Sequence, residues 1–126
     1  LFSNEQLERL VAKALTMPAT ASNKELLYLA GQVVIAGKAV SYSSQDAVQL
    51  LSMAWAGGKA EAARDLTLRL KIEGDPASAY LWALRCVRPC MPMFPANEYR
   101  KHIDSTLAAR IEELSQDRNI VFAPKI

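Results

Sequence analysis

Histidine is almost absent from this chain, with His102 the single example among 126 residues. It lies in Tyr99-Arg100-Lys101-His102-Ile103, between bases, and no clustered cysteines or carboxylates complete a ligand set at zinc-site spacing. Neither a metal site nor a catalytic histidine is expected. Cysteine is nearly as scarce. Cys86 and Cys90 are the two present. A local disulfide between them needs the last helical turn before Pro89 to unwind; otherwise Cys86 is a small core residue with Cys90 nearby by accident. A thiol nucleophile would need a base partner, and none can be named.

Long apolar runs are missing too. The longest, around Val33-Val34-Ile35-Ala36, falls far short of a bilayer span, so no membrane insertion is expected. Charge of one sign is not concentrated anywhere. The 15 basic and 13 acidic residues are interspersed and leave a formal net charge of +2, without the basic stripe that marks nucleic-acid binding. Serines are numerous, yet no Gly-x-Ser-x-Gly elbow occurs, and Gly57-Gly58-Lys59 is too short for a phosphate loop. No enzyme motif is found and no cofactor is expected.

What the chain has is apolar residues at helical spacing. Hydrophobic residues make up 51% and charged residues 22%, a balance that folds, and the length suits one domain. Leu7, Leu10, Val11, Ala14 and Leu15 mark a first helix within 4–17, with Asn4 as its expected cap and Pro18 as its stop. Leu26, Leu27, Leu29, Ala30, Val33 and Val34 mark a second after Ser22 or Asn23, stopped by Gly37. Ser43 or Ser44 caps a third, holding Ala47, Leu50, Leu51, Ala54 and Trp55 and closed by Gly57-Gly58. A fourth runs from Lys59 to about Ile72 with Ala62, Ala63, Leu66 and Leu70 inward, and Ile72 as a further inward candidate.

Asp75 and Pro76 open a fifth helix that reaches about Val87. Pro89 to Pro95 reads as a rigid apolar connector. Tyr99, Ile103, Leu107, Ile111 and Leu114 predict one continuous helix over 97–115, followed by a tail over 116–126 that is expected to be mobile. No segment alternates long enough to argue for a strand, and 119–122 is too short. The fold class is therefore all-α, with about six helices. Tyr28, Trp55, Tyr80, Trp82 and Tyr99 fall at helical spacing and read as core rather than a ligand cage.

Residues 24–58 and 59–90 repeat one another. Gly31 and Thr67 are 36 positions apart, whereas Ala47 and Ala79, like Ala54 and Cys86, are 32 apart, so the second copy is shorter in its internal turn. A helix-turn-helix unit recurring at a period in the thirties is the mark of an α-solenoid. The first copy carries Ala30-Gly31, Val34, Gly37, Ala39-Val40, Ser43, Asp46-Ala47, Leu50, Ala54-Trp55 and Gly58. The second carries Ala62, Leu66-Thr67, Leu70, Gly74, Asp75, Ser78-Ala79, Trp82 and Cys86-Val87. These units resemble the Sel-one-like repeat, a relative of the tetratricopeptide repeat. Ala39, Leu50 and Thr67 depart from the family's glycine, tryptophan and glycine. Small residues in such units let helices approach closely, and stacking buries what one hairpin cannot.

The resemblance implies a short solenoid in which the 4–17 and 97–115 helices flank and cap two hairpins. It implies a groove lined by the first helix of each hairpin, which places the partner-binding candidates at Glu25, Tyr28, Gln32 and Ile35 and at Glu61, Arg64, Leu68 and Lys71. It further implies a non-enzymatic adaptor or assembly factor that holds a protein or peptide, in a bacterial periplasmic or secreted setting, with the cytoplasm as the alternative. Beginning with Leu1 rather than Met, the chain is expected to be a processed protein or an excised piece. A fragment of a larger repeat-containing envelope or secretion protein and a small cell-wall-acting accessory enzyme are the rival readings, the enzyme the less favoured.

Overall fold

Three helix ends are built the same way, and each rests on a glycine. Gly37, Gly58 and Gly74 adopt φ of 75°, 110° and 79°, a backbone region that side-chain-bearing residues avoid. After each, the chain turns back on the helix it leaves. The Lys38 N–H donates to the Val33 carbonyl, the Lys59 N–H to Ala54, and the Asp75 N–H to Leu70, so carbonyls that the helix end would orphan are satisfied.

The computed structural model describes residues 2–86, 88 and 95–124. Its elements are α1 (Asn4–Ala14), α2 (Lys24–Ile35), α3 (Ser44–Ala56), α4 (Glu61–Ile72), α5 (Pro76–Arg85), α6 (Ala96–Arg100) and α7 (Ser105–Leu114), with no strand among the described residues. The chain is thus all-helical. It divides into two units, Leu1–Ala62 and Ala63–Ile126, with the boundary inside α4.

In the first unit, Ser3 rather than Asn4 caps α1, through a capping box with Gln6. Ser43 and Asp46 form the same box at α3. α2 packs on α3 and also on α1, burying Val11, Leu27, Ala30, Leu50 and Leu51. Gly31 sits where α2 meets α3, and a Cβ built there would come within 2.9 Å of the Leu51 side chain. Leu29, read from the sequence as inward, is exposed. Leu27, Ala30 and Val34 already define the buried stripe of α2, which turns Leu29 away.

In the second unit, Asp75 caps α5 by accepting from the Ser78 N–H, with Pro76 in the first turn. The helix expected over 97–115 is two helices. Asp104 accepts from the backbone N–H groups of Thr106 and Leu107, which starts α7 afresh after α6. Ile72, a candidate for the core, is 66% exposed, because α4 buries Leu66, Thr67 and Leu70 on another face. Val87 and the connector positions 89–94 lie outside the described residues. Cys86 is buried and disulfide-bonded; Cys90, the other cysteine, lies outside the described residues.

The expected mobile tail is instead, over 116–124, a strap fixed to α5. Ser78, Trp82 and Arg85 stand on one face of α5 at helical spacing. The Ala123 N–H donates to Ser78 Oγ at 2.9 Å, and Trp82 Nε1 donates to the Val121 carbonyl at 2.9 Å. Arg85 donates to the carbonyls of Asp117 at 2.7 Å, Ile120 at 2.8 Å and Ser115 at 3.2 Å, with Leu114 at 3.5 Å. Trp82 is therefore core and anchor together, fully buried with its one donor used.

One close approach in the first unit sets up the site described next. A Cβ built on Gly57 would lie 2.6 Å from the backbone oxygen of Thr20, a contact that no side-chain rotation relieves. Gly57→Ala is expected to lower unfolding free energy by about 1–3 kcal/mol in a urea titration followed by circular dichroism. A loss below about 0.5 kcal/mol, the usual range for neutral surface changes, would contradict that approach.

Candidate functional site

Glu25, Tyr28, Gln32 and Ile35 share one face of α2, as their spacing requires. Glu25 is exposed and the other three are half-buried. Their organising partner is Lys59, which the sequence reading passed over. Its ammonium lies 2.9 Å from Glu25 Oε1, 3.6 Å from Glu61 Oε2 and 5.0 Å from the centre of the Tyr28 ring. Three candidate residues thus converge on one cation. With its side chain only 18% exposed, Lys59 fills the space between them.

The turn geometry accounts for this. Gly57 lets the α3–α4 connection sit against Thr20, just ahead of α2, and the positive φ of Gly58 then aims the next residue back toward Glu25. The hydrogen bond to Glu25 is the main reason that the Lys59 pKa is raised above the ordinary lysine range; desolvation opposes it, and the charges of Glu25 and Glu61 add to the rise. The shift favours the charged ammonium of Lys59 within this cluster. The one sequence cue was its place directly after two glycines.

Arg64, Leu68 and Lys71 lie on one face of α4 with Glu61. Arg64 Nε is 3.8 Å from Asp65 Oδ1, and the Lys71 ammonium is 6.0 Å from the Tyr99 ring centre. Leu68 is 40% exposed, and Ile72, one turn on, more so. The second unit therefore presents two aliphatic side chains together, with cationic residues on either side of Leu68.

That unit also holds an open cleft of about 420 Å³, lined by Glu73, Asp75, Ala77, His102, Asp104 and Leu107 among others. Its acids are already engaged. Asp75 and Asp104 cap helices, and Glu73 pairs with Arg69 at 3.2 Å. No group of three or more potential metal ligands occurs among the described residues. No helix of the described chain is long and apolar enough to cross a membrane. The chain matches no protein-family model, no curated protein and no solved structure.

A polar network ties α5, α6 and α7 together beside the strap. Tyr80 donates its phenolic hydroxyl to Glu112 Oε2 at 2.5 Å, and Arg100 Nε donates to the same oxygen at 3.0 Å. Burial first, and then the bond to Glu112, push the Tyr80 phenol up to about 12. The neutral phenol is thus favoured in the fold, and its stabilisation is complete below the unfolded tyrosine pKa near 10 and disappears as pH rises through about 12. Tyrosinate absorbance should show a step near pH 12 that Tyr80→Phe removes, with stability falling between pH 10 and 12. A wild-type titration complete by about pH 11 would contradict the network.

Proposed function

We propose that the chain is a non-enzymatic interaction module, an adaptor or assembly factor of the helical-repeat type that holds a protein or peptide segment. The observation that carries this is the exposure of Leu68 beside Ile72 on α4, bordered by Arg64 and Lys71. Adjacent aliphatic groups left in water are costly to keep, and a pair with a charged border suits a contact surface. Leu68 is also one of the positions at which repeats of the resembling kind touch a partner. The cluster of Glu25, Tyr28, Glu61 and Lys59 supports the reading in a second way. Its charges are mutually paired, so it offers an ordered polar surface rather than a reactive group.

The disulfide at Cys86 favours an oxidising compartment and so supports a periplasmic or secreted setting over the cytoplasm. Within this reading, the second-copy residues Arg64, Leu68 and Lys71 supply the partner's anchor. The first-copy residues Gln32 and Ile35 supply further surface on α2.

Selection of a displayed peptide library on the whole chain provides the test. Peptides so obtained are expected to bind the Leu68→Asp, Ile72→Asp double variant at least about tenfold more weakly, as for loss of an apolar hot spot. Arg64→Glu with Lys71→Glu should shift which peptides are selected. Unchanged far-UV dichroism of the variants shows that folding is kept. If the selected peptides bind wild type and the Leu68 and Ile72 variant equally, this surface is not the binding face.

A further inference from the structure

We propose that the open cleft at the start of α5 holds a basic side chain, lysine or arginine, projecting from a peptide partner. The cleft, of about 420 Å³, lies between the α4–α5 turn, the α6–α7 turn and the strap, all within the second unit. Its size falls within the roughly 300–1,000 Å³ of small-ligand pockets. The inference rests on the proposed function only for the kind of partner, a peptide. The cleft shares no residue with the Leu68 and Ile72 surface, so the two sites can fail separately.

The walls and the rim differ in chemistry. Ala77 is buried and Ile103, Leu107 and Pro124 are half-buried, which makes the inner surface apolar. Glu73, Asp75 and Asp104 bring three carboxyls to the same cleft, and no lysine or arginine lines it. Capping engages Asp75 Oδ1 and Asp104 Oδ2 with neutral N–H groups, which leaves each carboxylate its charge and a second oxygen. Glu73 is shared with Arg69 at 3.2 Å and contributes less. An apolar wall under a negative rim fits a group that is aliphatic along its stem and cationic at its tip. Lysine and arginine are built that way: their methylenes lie on apolar surface while the head stays at the polar edge. There the head gains charge-assisted hydrogen bonds to the oxygens that the caps leave over. An anion would meet like charge, a bare metal ion would leave the walls unused, and a neutral apolar side chain would desolvate carboxylates without pairing them.

Terminally blocked tripeptides with a central arginine or lysine between alanines, titrated into the whole chain and followed by amide NMR, test the cleft. Both should shift the Ala77, His102 and Leu107 amides, and each should bind at least about tenfold more tightly than its neutral counterpart with citrulline or norleucine. Asp75→Asn with Asp104→Asn keeps side chains that cap helices and removes the charge, and should weaken the basic peptides by a similar factor. His102→Lys, which places a fixed cation at an exposed position of the rim, should weaken them too. Leu68→Asp with Ile72→Asp should leave this binding within about twofold. Equal binding of the charged and neutral peptides would overturn the cleft, as would full binding by the doubly Asn-substituted chain. Absence of shifts in the cleft amides at about 10 mM of either basic peptide, well above a millimolar Kd, would do the same. Shifts confined to α4 would remove the cleft and leave the Leu68 surface standing.

Discussion

The Arg85 guanidinium is the constraint on which the second unit depends. α7 ends at Leu114, whose carbonyl accepts from the Asp117 N–H, and Arg85 also reaches that carbonyl and the one of Ser115 before extending to Asp117 and Ile120. A cation at that place also complements the negative end of the helix. Removing Arg85 partly from water is unfavourable and lowers its pKa to about 10, which still leaves it charged at neutral pH. The Trp82 ring, 4.4 Å from the guanidinium carbon, covers one face of the group and offsets part of that cost. Through this one side chain, α5 is joined to the end of α7 and to the strap, while the Tyr80, Glu112 and Arg100 network joins α5 to α6 and to the last turn of α7.

The first unit is organised differently, by close backbone approach. Gly31 brings α2 near Leu51 of α3, and Gly57 brings the α3–α4 turn against Thr20. Each contact exists because a side chain is missing, and the second has a polar result. It places the Lys59 ammonium beside Glu25 and Tyr28 of α2 and Glu61 of α4, which gathers the two carboxylates around one cation. A bond from the Ser41 N–H to Glu8 ties the α2–α3 connection to α1; the Glu8 carboxyl is held below its ordinary range first by the Ser41 side-chain hydrogen bond and then by this backbone bond.

Hydrophobic spacing made α1 to α4 legible, since their buried positions recur at helical spacing, whereas α5 is buried on all sides over 77–83 and was legible from Asp75 and Pro76 at its start. The same spacing misled over 97–115. Tyr99, Ile103, Leu107, Ile111 and Leu114 keep a three-and-four spacing across a real break, and the stronger local signal was Asp104 ahead of Ser105 and Thr106. The strap was illegible because α5 grips mostly its carbonyl oxygens, which every residue carries, so no side-chain pattern in 116–124 records it. Of the candidate site, the shared face of Glu25 and Tyr28 followed from helical spacing. Their partner Lys59 did not, because an interaction 34 positions away depends on the approach of Gly57 to Thr20 rather than on periodicity.

The three glycine-ended helices are alike in backbone and unlike in surroundings. Gly37 and Gly74 face open space, whereas Gly57, next to the third of these glycines, touches another loop. Added residues at the first two positions would extend into solvent, while any added between α3 and α4 would displace Thr20 and with it Lys59. The difference in length between the two repeated segments falls in the connections that follow Gly37 and begin at Glu73. Added length is thus tolerated at the α2–α3 and α4–α5 connections and opposed at the α3–α4 connection.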